Sequence, residues 1–151
     1  MQGAPSKTLS VAIIFSRILG LLIYGAAFFL PAVREVALPG GDPPDVIQGS
    51  RCAWVTLVNT WNPEMWHSKD FLAVLSGWIN PLIALYLILL IFPKLRWPRH
   101  IVASLIVAFL LGTWLLFYLY PLVPLSGHFL WVAGILLILA GEIRCKPAPT
   151  E

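Results

Sequence analysis

Charged residues are scarce in this chain. Asp, Glu, Lys and Arg make up 11% of its 151 residues, whereas an ordinary soluble domain carries about 25%. Hydrophobic residues make up 59%, and they are gathered into runs of roughly twenty, the length that crosses a bilayer. The composition therefore excludes a typical water-soluble domain and predicts an integral membrane protein. The formal net charge of +3 is too small to require a nucleic-acid partner.

Paired cysteines and common catalytic motifs are also missing. The two cysteines, Cys52 and Cys145, lie far apart, and neither belongs to a C-x-x-C motif. Membrane thiol oxidoreductases need such pairs, so the sequence excludes that class. It contains no G-x-S-x-G motif and no phosphate-binding glycine loop. We therefore expect a protein without enzymatic activity.

The apolar runs define the expected architecture. They predict membrane spans at about residues 10–30, 71–92, 100–120 and 128–143, with a long loop at 31–70. We predict one membrane domain over residues 1–151, an all-α integral membrane protein that forms a four-helix transmembrane bundle. This fold class also includes a short interfacial helix in the extracytoplasmic loop.

Basic residues set the predicted orientation. Lys94, Arg96 and Arg99 lie between the second and third spans, and Arg144 and Lys146 follow the fourth. With four spans these segments share one side of the membrane, and their positive charge marks that side as cytoplasmic. The sequence thus predicts a multi-pass protein of the bacterial inner membrane with both termini in the cytoplasm and loop 31–70 outside.

Tryptophans give the long loop a helical pattern. Trp54, Leu57, Val58 and Trp61 fall at positions i, i+3, i+4 and i+7, which predicts a helix around residues 51–62 lying in the membrane interface. The alternative, a short strand beginning at Cys52, would have no neighbour to pair with. Tryptophan and leucine side chains of this region are the contact candidates for lipid or a protein partner: Trp54, Leu57, Trp61 and Trp66.

Arg17 is a charged residue inside the first predicted span. A charge at the centre of a membrane helix costs about 2.5–3.5 kcal/mol on insertion scales. Two interpretations remain open. The side chain reaches the cytoplasmic headgroups, which relieves most of the cost, or it pairs with Glu142 near the end of the last span.

Asn80 and Pro81 interrupt the second predicted span. Pro81 has no N–H to donate and frees the carbonyl of Gly77, so we predict a small polar pocket around Ser76, Gly77 and Asn80. We favour a proline kink in which Asn80 bonds a neighbouring helix. The alternative is a broken-helix site for an ion or a small polar ligand, as in transporters.

Small residues recur at four-residue intervals on two spans. They are Ala12, Ser16 and Gly20 on the first, and Ser104, Ala108 and Gly112 on the third. Such stripes let helices approach closely. We predict close helix contacts there, either within the bundle or with another subunit.

Glu64 and His67 have the Glu-x-x-His spacing that builds metal sites when it is paired on bundle helices. Asp70 follows one turn later, and His128 is predicted on the same side of the membrane, so these four residues are a candidate metal site. His67 and His128 could also hold a haem. Because the motif occurs once and histidine is ordinary at a membrane border, we predict no cofactor and keep a metal ion or haem as the alternative.

These observations favour a non-enzymatic subunit or assembly partner of a larger membrane complex. Its partners would be the lipid bilayer and other membrane subunits, or a second copy of the chain, and no nucleic acid. A second hypothesis is a small transporter or ligand-binding protein that uses Asn80, Pro81 and Arg17. A third is a metal or haem redox protein that uses His67 and His128.

Overall fold

The computed structural model describes residues 7–36, 45–66 and 71–143, with side chains from residue 11 to residue 140 within those ranges. The described chain is mostly helical. Its elements in order are α1 (Lys7–Ala27), β1 (Pro31–Glu35), β2 (Val46–Gln48), α2 (Gly49–Asn59), α3 (Pro63–Trp66), α4 (Phe71–Ile91), α5 (Arg96–Leu119), β3 (Leu122–Pro124) and α6 (Ser126–Ile143).

Among the described residues, α4 and α5 are the two helices that are long and apolar enough to cross a membrane, with 21 and 24 residues. The apolar parts of the other two long helices are shorter, at Val11–Ala27 in α1 and Ser126–Ala140 in α6. Length and composition therefore identify two possible membrane spans.

The long helices pack as two antiparallel pairs. The turn between α4 and α5 is short, and the two helices pack against each other. α1 packs along α6, where the Ser16 hydroxyl donates to the Leu137 carbonyl at 3.0 Å. A Cβ on Gly20 would lie 2.9 Å from the carbonyl oxygen of Gly134, closer than side-chain carbons approach. Ser16 and Gly20 of the α1 stripe therefore pack against α6, whereas Ala12 is exposed. Only a small residue permits the distance at Gly20.

A hydrophobic core joins the two pairs. It is built from buried aliphatic side chains and one tyrosine on α4, α5 and α6. Its buried members are Ile79, Ile83, Tyr86, Val102, Ile106, Leu110, Ile135, Ile138 and Leu139.

A small sheet closes one end of the bundle, so the prediction of an all-α protein is wrong there. Within the described ranges, β1 lies between β2 and β3 and pairs antiparallel with both. Val33 faces Ile47 on one side and Pro124 on the other. The strands have three to five residues, too few to show an alternating pattern in the sequence. α1 ends at Ala27, earlier than predicted, because a turn follows and Pro31 begins β1.

The helix predicted around residues 51–62 is present as α2, and the strand alternative is wrong. Its first amide groups, which a helix leaves unbonded, donate to the turn after α1: Gly49 to the Leu30 carbonyl at 3.0 Å and Ser50 to the Phe28 carbonyl at 2.9 Å. α2 then crosses α4 at Gly77, where any Cβ would collide with the carbonyl of Thr56. α2 is thus held directly against the bundle.

We expect Gly134→Ala to destabilise the fold. The added Cβ would lie 2.7 Å from the backbone nitrogen of Tyr24, and overpacking of this kind costs about 1–3 kcal/mol. Gly25→Ala is the matched control, because a Cβ at Gly25 meets nothing within 4 Å and should leave stability equal or slightly higher. Unfolding in detergent, followed by tryptophan fluorescence, measures both. Equal midpoints for the two variants would contradict the close α1–α6 contact.

Candidate functional site

A hydrogen-bonded cluster ties three helices together around Asn80. The Tyr24 hydroxyl of α1 donates to Asn80 Oδ1 at 2.7 Å, and the Trp131 Nε1 of α6 donates to the same oxygen at 3.2 Å. An indole N–H is only a donor, so the atom facing Trp131 must be the amide oxygen. Asn80 therefore bonds two neighbouring helices through Oδ1 and directs its Nδ2 elsewhere.

Pro81 lies inside α4, which runs without a break from Phe71 to Ile91. The broken-helix alternative is therefore wrong for the backbone of this segment. Ser76, predicted to share a polar pocket with Asn80, donates its hydroxyl to the Ala73 carbonyl one turn back at 2.7 Å. Both residues line the same cavity.

That cavity has a volume of about 410 Å³ and lies where the sheet and α2 cover the end of the bundle. α1, α2, α4, α5, α6 and the strands all contribute to its walls. Most of the wall is apolar or aromatic, and its larger side chains include Phe28, Val33, Leu116, Phe117 and Trp131. Its size falls in the range of about 300–1,000 Å³ that is typical of small-molecule sites.

The charged residues of the cavity lie at its mouth. Glu35, Asp45 and Arg51 line it and are exposed, and Arg51 pairs with Asp45 at 3.8 Å. An exposed pair of this kind contributes about 0–1 kcal/mol. The buried part of the wall carries Thr113 and His128. The cavity thus runs from a charged, solvent-facing rim to a buried polar floor.

His128 lies at that floor within a group of aromatic rings. Its side chain is 6% exposed, and its ring meets Phe117 edge-on with centroids 4.6 Å apart. The Trp114 and Trp131 rings each lie 5.6 Å away. Its Nε2 atom is buried and has no hydrogen-bond partner among the described residues. Buried polar atoms are nearly always bonded, so this nitrogen is an exception within a group of packed aromatic rings.

Cys52 lines the cavity from α2. Burial raises the pKa of the Cys52 thiol, because a buried site disfavours the charged thiolate. The thiol is therefore neutral at physiological pH and is a weak nucleophile. Its reaction with an added reagent can be used to measure access to the cavity.

Arg17 and Glu142 do not contribute to the cavity wall that the structure describes. Arg17 is half-buried on α1. The side chain of Glu142 lies outside the described part of the chain, so the predicted pair stays a prediction. The helix register pairs Ser16 with Leu137, which sets the Glu142 backbone more than one turn beyond the level of Arg17.

The side chains predicted to contact lipid or a partner differ in how exposed they are. Trp54 and Trp61 are 67% and 79% exposed, while Leu57 is half-buried. The Trp66 indole donates to the Thr60 carbonyl at 2.9 Å. The exposed face of α2 thus carries Trp54, and Trp61 lies in the turn after the helix. The smaller side chains of α2, at Cys52, Ala53 and Thr56, line the cavity.

The stripe on α5 faces away from α1. Ser104 and Ala108 are exposed and lie in a shallow groove with Trp97 and His100. Gly112 is half-buried, and the nearest atom to a Cβ there would belong to Leu72 on α4, at 3.9 Å. The two small-residue stripes therefore do not meet.

The candidate metal residues are not brought together in the part that can be described. Glu64 is exposed on α3 and His128 is buried at the cavity floor. His67 and Asp70 lie outside the described residues. No three His, Cys, Asp or Glu side chains within the described ranges form a group that could hold a metal ion.

Sequence analysis missed Tyr24, Thr113 and Trp131 as site residues. One signal was present: a Tyr or Trp inside an apolar run needs a partner for its polar tip, and Asn80 was already predicted to bond a neighbouring helix. The pairing itself joins residues 56 and 51 positions apart, which no local pattern reveals.

We expect Asn80→Ala to destabilise the protein more than Tyr24→Phe. The first variant leaves the Tyr24 and Trp131 donors without their acceptor, at about 1–3 kcal/mol for each buried unsatisfied group. The second removes a donor together with its bond, at about 0.5–1.5 kcal/mol. Unfolding free energies in mixed micelles measure the difference. A cost for Asn80→Ala no larger than that for Tyr24→Phe would show that Asn80 is not the shared acceptor.

The site is therefore a covered, mostly apolar cavity with a buried histidine and an asparagine amide at its inner side. Comparison with family models, curated proteins and solved structures finds no match to this chain.

Proposed function

We propose that this chain is a multi-pass membrane protein that binds a small ligand in the cavity at its extracytoplasmic end. The observation that carries the proposal is the cavity of about 410 Å³, whose mostly apolar wall includes the polar residues Asn80, Thr113 and His128. An apolar pocket with a few convergent polar groups is the usual form of a small-molecule site.

Four membrane spans, α1, α4, α5 and α6, are part of this proposal. α1 and α6 have 21 and 18 residues, which at 1.5 Å per residue gives about 27–32 Å, close to the apolar thickness of a bilayer. Large apolar side chains cover the outer surface of α1, as lipid contact would require. They are Val11, Ile14, Phe15, Ile18 and Leu22.

The proposed orientation places both termini in the cytoplasm of a bacterial cell. Lys94, Arg96 and Arg99 lie in or just after the turn between α4 and α5, at the end of the bundle away from the sheet and α2. A cluster of positive charge favours the cytoplasmic side. The cavity then opens on the extracytoplasmic side of the inner membrane.

A second candidate function is that of a subunit or assembly partner in a larger membrane complex. Two exposed surfaces favour it: the groove on α5 at Ser104 and Ala108, which would admit another helix, and the tryptophan face of α2. Trp54 on that face and Trp61 in the turn after α2 suit either lipid headgroups or a membrane protein partner. Ligand binding and assembly are compatible, because the cavity lies on the inner side of α2, whereas Trp54 lies on its exposed side and the groove lies on α5.

Cysteine labelling in intact cells tests the orientation. In a chain with Cys52→Ala and Cys145→Ala, we expect Ser50→Cys to react with a membrane-impermeant thiol reagent in intact cells. Leu95→Cys should react only after permeabilisation, since it lies in the basic turn while leaving its charges unchanged. Both positions are exposed. The reverse pattern would show that the orientation is wrong. If both cysteines react in intact cells, they lie on the same side of the membrane, which would contradict a single span, α4, between them.

Access to Cys52 tests the cavity. In a Cys145→Ser chain, N-ethylmaleimide should modify Cys52, and the rate should keep rising above the ordinary thiol pKa of about 8.5, because burial raises the pKa of this group and the thiolate is the form that reacts. Ala73→Phe fills the cavity and should slow the reaction at least about tenfold. Ala84→Phe, on the exposed face of the same helix, should leave it unchanged. Equal rates in the two variants would show that Cys52 is not reached through this cavity.

A further inference from the structure

Two positive charges at the turn between α4 and α5 have no acidic partner among the described residues. Lys94 and Arg96 are exposed there, and neither side chain forms an ion pair or a hydrogen bond within the described ranges. The acidic side chains that the structure describes lie at the opposite end of the bundle, on the sheet and α3: Glu35, Asp45 and Glu64. The charge of this turn is therefore directed to the surroundings of the protein.

Exposed aromatic side chains lie beside these charges. Trp97 is 76% exposed and Phe92 is 51% exposed. Tryptophan at the end of a membrane helix prefers the level of the lipid headgroups, and lysine and arginine side chains next to it extend to the phosphates. Residues 92–97, which we call the basic turn, thus combine the two kinds of side chain that suit headgroup depth.

The shallow groove on α5 begins at the basic turn. Trp97 and His100 line its first part, and the small side chains of Ser104 and Ala108 line its second part. Arg96 and His100 are four positions apart on one helix, so Arg96 flanks the start of the groove. From Trp97 to Ala108 the groove is about 16 Å long at 1.5 Å per residue. It therefore extends from the charged end of α5 to the middle of that helix.

The charge at one end of the groove favours one kind of occupant. A phospholipid carries its phosphate at headgroup depth and its acyl chains below, which is the same order as the basic turn and the groove. A partner helix would need an acidic side chain at the level of Lys94 and Arg96 to match their charge. An anionic lipid supplies both the charge and the apolar chain.

We propose that the basic turn and the groove on α5 bind one anionic phospholipid. Lys94 and Arg96 hold its phosphate, and an acyl chain lies along the groove between Trp97 and Ala108. The occupant of the groove is then a lipid of the adjoining leaflet, in place of the partner helix of the second candidate function. This proposal rests on α4 and α5 crossing the membrane and does not involve the cavity.

Lipid titration of the full chain in a mild detergent tests the proposal, with bound lipids counted by native mass spectrometry. The probes are phosphatidylglycerol and phosphatidylcholine with the same acyl chains, because the choline group cancels the negative charge of the phosphate. We expect the dissociation constant of the first bound phosphatidylglycerol to be at least about tenfold lower than that of phosphatidylcholine. Higher ionic strength should reduce this difference, since the charges are exposed.

Two arginine variants form a matched pair. Arg96→Gln and Arg34→Gln each remove one positive charge from an exposed arginine, at opposite ends of the molecule. Arg96→Gln should raise the dissociation constant of phosphatidylglycerol about fivefold, and Lys94→Gln combined with Arg96→Gln about thirtyfold. Arg34→Gln should leave it unchanged. Unfolding followed by tryptophan fluorescence verifies that each variant is folded.

A second matched pair tests the position of the acyl chain. Ala108→Phe fills the groove and should raise the dissociation constant of phosphatidylglycerol at least about threefold. Ala84→Phe introduces the same ring on the exposed face of α4 and should have no effect. Inorganic phosphate should not displace the lipid, because it has no chain to occupy the groove.

Four results would overturn the proposal. Equal affinity for the two lipids would show that the negative charge is not recognised. Equal losses in Arg96→Gln and Arg34→Gln would show that lipid binding follows net charge alone. Displacement by inorganic phosphate would identify a site for free anions. Unchanged lipid binding in a folded Ala108→Phe protein would show that no acyl chain occupies the groove. None of these results bears on the cavity, which the reaction of Cys52 tests separately.

Discussion

The shared acceptor at Asn80 is the constraint on which the rest of the structure depends. In an apolar interior a polar group without a partner is expensive, and Asn80, Tyr24 and Trp131 satisfy one another only when α1, α4 and α6 lie in one register. That register brings the α1–α6 pair onto the α4–α5 pair. It also sets the start of α6, and therefore His128, beside the end of α5.

The sheet and α2, which cover one end of the bundle, depend on close backbone contacts. The first amides of α2 bond to carbonyls of the turn after α1, and α2 crosses α4 at a glycine, so its small residues face inward and Trp54 faces outward. A helix with large residues on its inner face would fill the space beneath it. The same arrangement thus leaves a cavity on the inner side of α2 and exposed tryptophans at Trp54 and Trp61 on the outside.

Much of the helical framework is predictable because it rests on local pattern. Apolar runs and prolines locate α4 and α5 to within a few residues, and the tryptophan spacing locates α2. The sheet was missed because its strands are short and β1 pairs with β3 across about ninety positions. Asn80 and Ser76 were recognised from Pro81, but the cavity that they line needed Thr113 and His128 from other helices.

The sequence alone determined the composition and the distribution of basic residues. It also predicted the helix positions, because helix formation depends on neighbouring residues along the chain and on whether a segment prefers water or lipid. Only the tertiary structure decided that Ser16 and Gly20 of α1 pack against α6, that a sheet and α2 cover one end, and that His128 lies in a cavity beside Asn80. Those features arise from contacts between segments distant in sequence. Their energies depend on distances and directions that a linear pattern does not encode.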